Sequence, residues 1–196
     1  SLLGVHLLRG ALKRETTPIP VGHLAYIWER TLRDEWTVYD PSRKTLLEAL
    51  FWVITDRAYR RRDRRDPLLD QEAERILEMA AASSDDEAKE VLASMAKVPV
   101  RVKKKILHST KNEHVLYELA LAVHPHQGEE AVEILRALSR HPDVFIREAV
   151  AEKVPFPHLL KDLEVRVRYA CVQPGLPREA ALFLMRDPSE VVRKEL

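Results

Sequence analysis

The sequence predicts an all-α fold, a short α-solenoid of paired helices with a helical N-terminal region. One short pattern recurs in register at residues 141–150, 162–171 and 187–196, and more loosely at 112–121. A repeat of roughly 20–30 residues is typical of stacked helical units. The chain has only five Gly, and most of its twelve Pro fall between apolar segments with helical spacing. Residues 98–102 alternate in polarity, but Pro99 and the lysines that follow disfavour a strand there.

The first predicted region is helical and spans residues 1–65. Residues 16–20 form a break with two Pro, and helical spacing of apolar residues resumes at Leu24. Asp40 and Pro41 then have the order of an N-cap followed by Pro at the first helical position. The apolar face of the next helix contains Leu46, Leu47, Leu50, Phe51, Ile54 and Ala58.

The second predicted region is the α-helical repeat region at residues 66–196, which we expect to pack with the first as one continuous domain. Asp66 and Pro67 repeat the helix-start signal, and Ser84 with Glu87 has the spacing of a capping box. Beyond these, the apolar spacing predicts four helical pairs. Their approximate ranges are 99–108 with 112–123, 129–139 with 143–152, 156–161 with 164–172, and 177–186 with 189–196.

Two of the recurring segments have Asp six residues before Arg, with Val directly before that Arg: Asp162 with Arg168, and Asp187 with Arg193. This pattern resembles the second helix of HEAT-like repeats. Residues 162–187 are more similar still to the leucine-rich repeat variant, in which an α-helix alternates with a shorter, often 3₁₀, helix. The resemblance covers roughly residues 99–196.

The resemblance implies that the Asp caps its helix and that Asp and Arg form a hydrogen-bonded ladder between neighbouring repeats. His141 takes the place of the Asp in one segment. Asn112 and Glu118 take the place of both ladder residues in another, so we expect the ladder to be broken there. A founding example of the variant family carries an iron–sulfur cluster on an N-terminal group of cysteines, which a chain with one Cys cannot hold.

The recurring pattern also predicts which residues face the core, and it bears on the last helix. The apolar residues expected to face a shared core are Val144, Ile146, Val150, Val165, Val167 and Cys171. Leu196 falls within the second helix of a predicted pair. Because a solenoid needs a polar cap at each end, we expect either that a further segment follows or that this end contacts a partner.

Composition restricts the classes of partner and compartment. Lys and Arg number 32 against 31 Asp and Glu, for a net charge of +1, so there is no overall attraction to nucleic acid or to an anionic membrane. The single cysteine precludes an intramolecular disulfide and fits a reducing cytoplasm. The sequence has no run of 18 apolar residues, so it predicts no membrane span.

Two basic clusters are candidate phosphate or nucleic-acid contacts, because guanidinium groups match phosphate oxygens in geometry. The candidates are Arg57, Arg60, Arg61, Arg62, Arg64, Arg65, Arg101, Lys103, Lys104 and Lys105. The alternative for the arginine cluster is a solvated helix end neutralised by the acidic segment at residues 70–90. If both clusters faced one groove, nucleic-acid binding would be favoured, whereas pairing with residues 70–90 would favour a scaffold.

The histidines and the cysteine lack the neighbouring residues that a zinc site or a nucleophilic thiol would need. His108, His114, His124, His126 and His141 lie close in sequence, but no carboxylate or thiolate completes a zinc-ligand spacing. Cys171 occupies an apolar repeat position, as a small buried residue would. The sequence has no phosphate loop, dinucleotide fingerprint or nucleophile elbow. We therefore expect no catalytic residue, no metal and no cofactor.

The resulting hypothesis is a non-catalytic interaction module that binds a protein partner through a solenoid face or an open end. The alternative is a nucleic-acid-binding helical-repeat protein, including one similar to the DNA-repair glycosylases built from HEAT-like repeats. The sequence leaves the oligomeric state open.

Overall fold

The computed structural model describes residues 67–196 together with Lys44, Leu47, Glu48, Phe51, Trp52 and Thr55. All regular secondary structure within these residues is helical and none is strand, which confirms the all-α prediction for this part of the chain. The chain divides into two compact units, Ser1–Ser109 and Thr110–Leu196. The predicted boundary between residues 65 and 66 lies outside the described residues.

Residues 67–109 of the N-terminal unit contain three helices, α1 (Pro67–Ala82), α2 (Asp86–Ser94) and α3 (Val100–Ser109). Helix α1 begins at Pro67, as predicted. Pro is tolerated at the first helical position because a backbone N–H there would make no intrahelical hydrogen bond. Asp85 rather than Ser84 caps α2, because its carboxylate accepts the N–H of Ala88. The three helices pack on one another, and Leu77, Leu92 and Ile106 are fully buried.

The C-terminal unit contains six α-helices and two 3₁₀ turns. The α-helices are α4 (Glu113–Ala122), α5 (Glu129–Leu138), α6 (Val144–Ala151), α7 (Val165–Ala170), α8 (Arg178–Leu184) and α9 (Glu190–Glu195). The 3₁₀ turns are Pro125–Gln127 and Leu159–Lys161. These bounds confirm the predicted helices from 112 onward, except that the predicted short helix at 156–161 is the second 3₁₀ turn. Gly128, with a φ of 112°, sets the backbone for the start of α5.

Four helices of the C-terminal unit form a row in which each contacts the next: α4, α6, α7 and α9. The other elements pack beside this row: α5 contacts α4 and α6, and the second 3₁₀ turn contacts α7 and α8. In the last three predicted pairs, the first element therefore lies beside the row that the second helices form.

The core of the C-terminal unit is built from the faces that these helices share. Ile146, Val150, Val167 and Cys171 are fully buried, as predicted. Val144 is half-buried, and the prediction for Val165 is wrong because that side chain is 41% exposed. An α-helix turns by about 100° per residue, so Val165 and Val167 cannot both face the same core.

Among the described residues, no helix is both long enough and apolar enough to cross a membrane.

Candidate interaction surface

A short hydrogen-bonded turn recurs before five helices. In each turn a side-chain atom accepts the backbone N–H of the residue two positions later, and the helix begins at the third position. We call the accepting residue the turn acceptor. The turn acceptors are Ser83 (3.2 Å), Thr110 (3.0 Å), His141 (3.1 Å), Asp162 (3.0 Å) and Asp187 (2.8 Å), which precede α2, α4, α6, α7 and α9.

These turns change the predicted alignment of the recurring segments. Thr110 rather than Asn112 occupies the position of Asp162, and Asn112 is the N-cap of α4, accepting the N–H of His114. The residue six positions after Thr110 is Leu116, which is buried. His141 replaces Asp without loss of the turn, because its Nδ1 atom takes the part of the carboxylate oxygen.

Arginine side chains connect successive turns in the C-terminal unit. Six residues after His141, Arg147 donates from Nε to Oδ2 of Asp162 (2.7 Å) and from Nη2 to Oδ1 (3.0 Å). Its Nη1 donates to the carbonyl of His141 at 2.9 Å. Each such guanidinium therefore joins the backbone of its own turn to the carboxylate of the next.

The next step of the ladder repeats this geometry. Arg168 donates from Nε and Nη2 to the two carboxylate oxygens of Asp187, at 2.6 and 3.0 Å, and from Nη1 to the carbonyl of Asp162 at 2.7 Å. Arg193 donates from Nη1 to the carbonyl of Asp187. Asp162, Arg168 and Asp187 of the predicted ladder thus connect successive turns, whereas Arg193 bonds within its own turn. Arg147 is a further member. Its alignment with Arg168 in the recurring pattern was the signal that could have found it.

The ladder sets the charge states of its carboxylates. The hydrogen bond from Arg168 lowers the pKa of Asp187, helped by the N–H of Ser189 and opposed by burial. Burial acts to raise the pKa of Asp162, but hydrogen bonds from Arg147 and from the N–H of Glu164 outweigh it, so that this pKa is also lowered. Both groups are ionised at neutral pH, as a charge-assisted pair requires.

Lys89 occupies the corresponding position in the N-terminal unit, six residues after Ser83. Its side chain is buried, and its Nζ donates to the carbonyl of Ser109 at 2.8 Å. A lysine thus joins the start of α2 to the end of α3. No sequence signal singled it out, because its acceptor is a backbone carbonyl.

A second lysine closes the end of a helix. The Nζ of Lys153 donates to the carbonyls of Ala120, Leu121 (2.5 Å) and Val123 (2.9 Å), where α4 has no intrahelical partners left. Burial lowers the pKa of Lys153 to about 8, while Glu152 acts in the opposite direction. The sequence reasoning also missed this residue.

The exposed side of the helix row carries a phenylalanine, an arginine and a valine at matching positions. Phe145, Arg166 and Val191 are each the second residue of their helices, α6, α7 and α9. The guanidinium of Arg166 lies 4.3 Å from the ring centre of Phe145 and pairs with Glu148 at 2.8 Å. Tyr169, one turn further along α7, is hydrogen-bonded to Glu195, which raises the pKa of Tyr169. We call Phe145, Arg166, Tyr169 and Val191 the row face.

Two of the four basic candidates in α3 pair with acidic residues of α1. Arg101 pairs with Glu74, and Lys105 pairs with Glu78 at 2.6 Å. Lys103 is fully buried and Lys104 is half-buried. The candidates from Arg57 to Arg65 lie outside the described residues.

The described histidines and the cysteine were the remaining candidates for a metal site or a reactive group. The rings of His124 and His126 stack with centres 5.4 Å apart. Within the described residues, no group of three or more His, Cys, Asp or Glu is placed to hold a metal ion. Cys171 is fully buried, and burial raises the pKa of its thiol to about 12.

Comparison of the chain with protein-family models, with curated proteins and with solved structures finds no match.

Proposed function

We propose that the chain is a non-catalytic α-solenoid of the HEAT-like or leucine-rich repeat variant type, and that it binds a protein partner through the row face. The observation that carries this proposal is the exposed cluster on α6, α7 and α9. Phe145 is 50% exposed and Val191 is 61% exposed, although both belong to helices whose other faces form the core.

The composition of the row face supports a protein partner. Aromatic residues and arginine are enriched among the residues that dominate binding energy at protein interfaces. Arg166 is already held in place by Phe145 and Glu148. Binding a partner should therefore cost little further side-chain entropy at Arg166, because its guanidinium has already lost part of its rotamer freedom.

The recurring turns support the repeat assignment. The same turn precedes α4, α6, α7 and α9, and Arg147 and Arg168 connect three of those turns. Such a ladder holds neighbouring helices at a fixed spacing and presents equivalent surface positions at regular intervals. A row of this kind suits an extended partner.

The pairing of α3 with α1 supports a scaffold over the nucleic-acid alternative. Arg101 and Lys105 are neutralised by Glu74 and Glu78, which lie in the acidic segment at residues 70–90. A phosphate would compete with these carboxylates for the same two cations.

The proposal is tested with the full chain as bait in a cell extract, followed by chemical cross-linking and identification of captured proteins. The double variant F145A/Y169A should lose the captured protein, whereas L182A, on α8 with an exposure similar to that of Phe145, should retain it. Equal capture by all three forms would contradict the use of the row face.

A second arm tests the nucleic-acid alternative directly. The full chain is titrated into labelled single-stranded DNA, duplex DNA and RNA at about 50 and 200 mM salt, where phosphate contacts show a steep loss of affinity. We expect no binding. Salt-sensitive binding that weakens in R101Q/K105Q would overturn the proposal in favour of a nucleic-acid-binding protein.

A further inference from the structure

The residues on either side of the turn acceptors follow a second pattern in the C-terminal unit. The residue just before the turn acceptor is basic in three successive turns, and the residue just after it is apolar. All of these side chains are exposed. We call the six residues the turn edge; its cations are Arg140, Lys161 and Arg186, and its apolar members are Pro142, Leu163 and Pro188.

The exposure of the turn edge belongs to the repeat position. Helices α6 and α7 each have another helix of the row on both sides. Arg140 and Lys161, in the turns before these two helices, are nevertheless exposed. Leu163 is 94% exposed, although its carbonyl accepts Nη1 of Arg168 at 3.1 Å. The turns therefore have a fixed backbone and present these side chains outward.

The cations of the turn edge are not neutralised by neighbouring acids. Among the described residues, no carboxylate forms an ion pair with any of the three. The aspartates of the same turns have other partners. Asp162 and Asp187 bind Arg147 and Arg168 of the ladder, and Asp143 accepts two backbone N–H groups at the start of α6. A row of positive charge is thus left for an external anion.

We infer that the turn edge binds an extended segment of a partner protein in which acidic residues recur at about every third position, with apolar residues between them. The proposal rests on the interaction function above and names a partner chemistry for a surface formed by the turns rather than by the helices. Each acidic residue pairs with one cation, and the apolar residues contact Leu163 and the two prolines.

The spacing of the helices selects an extended segment. Helices that pack side by side lie about 8–10 Å apart, so equivalent turn positions recur at about that interval. Three residues of extended chain span about 10 Å. Three residues of an α-helix span only about 4.5 Å. Acidic residues three positions apart in an extended segment can therefore meet successive cations, and the ladder holds the turns in place before binding.

The apolar members of the turn edge favour a peptide over a single-stranded nucleic acid. Proteins bind such strands by combining phosphate contacts with aromatic side chains on which the bases stack. The positions beside these cations hold two prolines and a leucine, which suit aliphatic side chains of a peptide. A nucleic-acid probe is therefore included in the test.

Two labelled peptides of identical composition test the spacing. Each has about 15 residues, enough extended chain to span three turns. One carries Glu at every third position with Leu and Ser between, and the other has the same residues with all Glu in one block. Both are titrated into the full chain and followed by fluorescence anisotropy. We expect saturable binding of the spaced peptide and about tenfold weaker binding of the blocked peptide, whose Glu side chains cannot reach all three cations.

Charge variants then assign the contact. R140Q/K161Q should weaken binding of the spaced peptide about tenfold, as the loss of two ion pairs predicts. The matched control R178Q/K194Q removes the same charge from α8 and α9 and should bind unchanged. L163S should weaken binding but leave the melting temperature unchanged, because this side chain is almost wholly in solvent.

The outcomes separate this proposal from its alternatives. Absence of saturable binding, equal binding of the two peptides, or equal weakening by the two double variants would overturn it. Labelled single-stranded RNA that binds in place of the spaced peptide, and is lost in R140Q/K161Q, would overturn it in favour of a nucleic acid. The row-face variant F145A/Y169A should bind the spaced peptide unchanged, so a failure at the turn edge leaves the capture test of the row face independent.

Discussion

Arg168 holds Asp187 through two parallel hydrogen bonds, of 2.6 Å from Nε and 3.0 Å from Nη2, and both side chains are largely removed from solvent. The same guanidinium also donates to the carbonyl of Asp162, six residues earlier. One side chain thus fixes the start of α7 relative to the start of α9. Because neither residue faces an exposed surface, the pair has a structural role and holds α7 and α9 at a fixed distance.

Loss of this carboxylate should destabilise the protein strongly. D187N leaves the buried guanidinium of Arg168 without its counter-charge, and removing one partner of a buried ion pair costs about 3 kcal/mol. We expect a loss of that size in the free energy of unfolding, measured by urea denaturation. The exposed pair of Lys194 with Glu190 supplies the control, because K194Q should change the stability little. Equal stability of D187N and K194Q would contradict a role for the ladder in the fold.

The ladder also predicts how stability depends on pH. The pKa of Asp187 is lower in the folded chain than the ordinary value of about 4, chiefly through the hydrogen bond from Arg168. Between those two values the unfolded chain binds more protons than the folded one, so the stability rises with pH. The contribution is complete above about pH 4 and is lost as the pH falls through the lowered pKa. Urea midpoints from pH 5 to 2 should therefore fall less steeply for D187N than for the unmodified chain. Parallel curves would show that this carboxylate does not contribute.

The sequence predicted the helices well because their ends are marked by local chemistry. Pro67 begins α1, and Gly128 precedes α5 with a backbone conformation that favours glycine. The pattern could not show that Arg168 pairs with the Asp 19 residues later rather than with the Asp six residues earlier. Both carboxylates lie in matching sequence contexts, and only the packing of α7 on α9 distinguishes them.

Residues whose partners are backbone carbonyls escaped the sequence reasoning altogether. Lys153 donates to carbonyls 30 to 33 residues earlier, and those acceptors have no side-chain signature. The position of Thr110 was missed for a related reason. Its hydroxyl can accept the N–H two residues later as an Asp does, but this segment has neither the Asp nor the Arg of the recurring pattern.

The thiol of Cys171 should be inert in the folded protein. Burial raises its pKa to about 12, so the thiolate that reacts with disulfide reagents is scarce at pH 8. We expect no reaction with Ellman's reagent under native conditions and one equivalent of reaction in urea, which the single cysteine makes easy to count. Rapid native labelling would contradict the placement of this side chain in the core of the C-terminal unit.

His141 should be replaceable by aspartate but not by alanine. H141D keeps an acceptor for the N–H of Asp143 and adds a negative charge near the start of α6, which the helix dipole favours. H141A removes the acceptor and should cost about 1 kcal/mol, the typical net contribution of one hydrogen bond. Urea denaturation at pH 7.5 compares the two variants with the unmodified chain. If both lose the same stability, the imidazole contributes by packing rather than by accepting this hydrogen bond.

Lys153 should be required to hold the end of α4. In K153M the apolar stem is kept, but the carbonyls of Ala120, Leu121 and Val123 lose the donor that satisfies them. Partly buried carbonyls without a partner cost about 1–3 kcal/mol, and the loss should be local because the last turn of a helix frays first. Hydrogen exchange should therefore show faster amide exchange at Ala122 and Val123 in K153M, with exchange in α7 unchanged. K153R supplies the control, since a guanidinium retains donors for these carbonyls and should preserve most of the protection. Uniformly faster exchange across the C-terminal unit in K153M would mean that Lys153 supports the whole unit rather than the end of one helix.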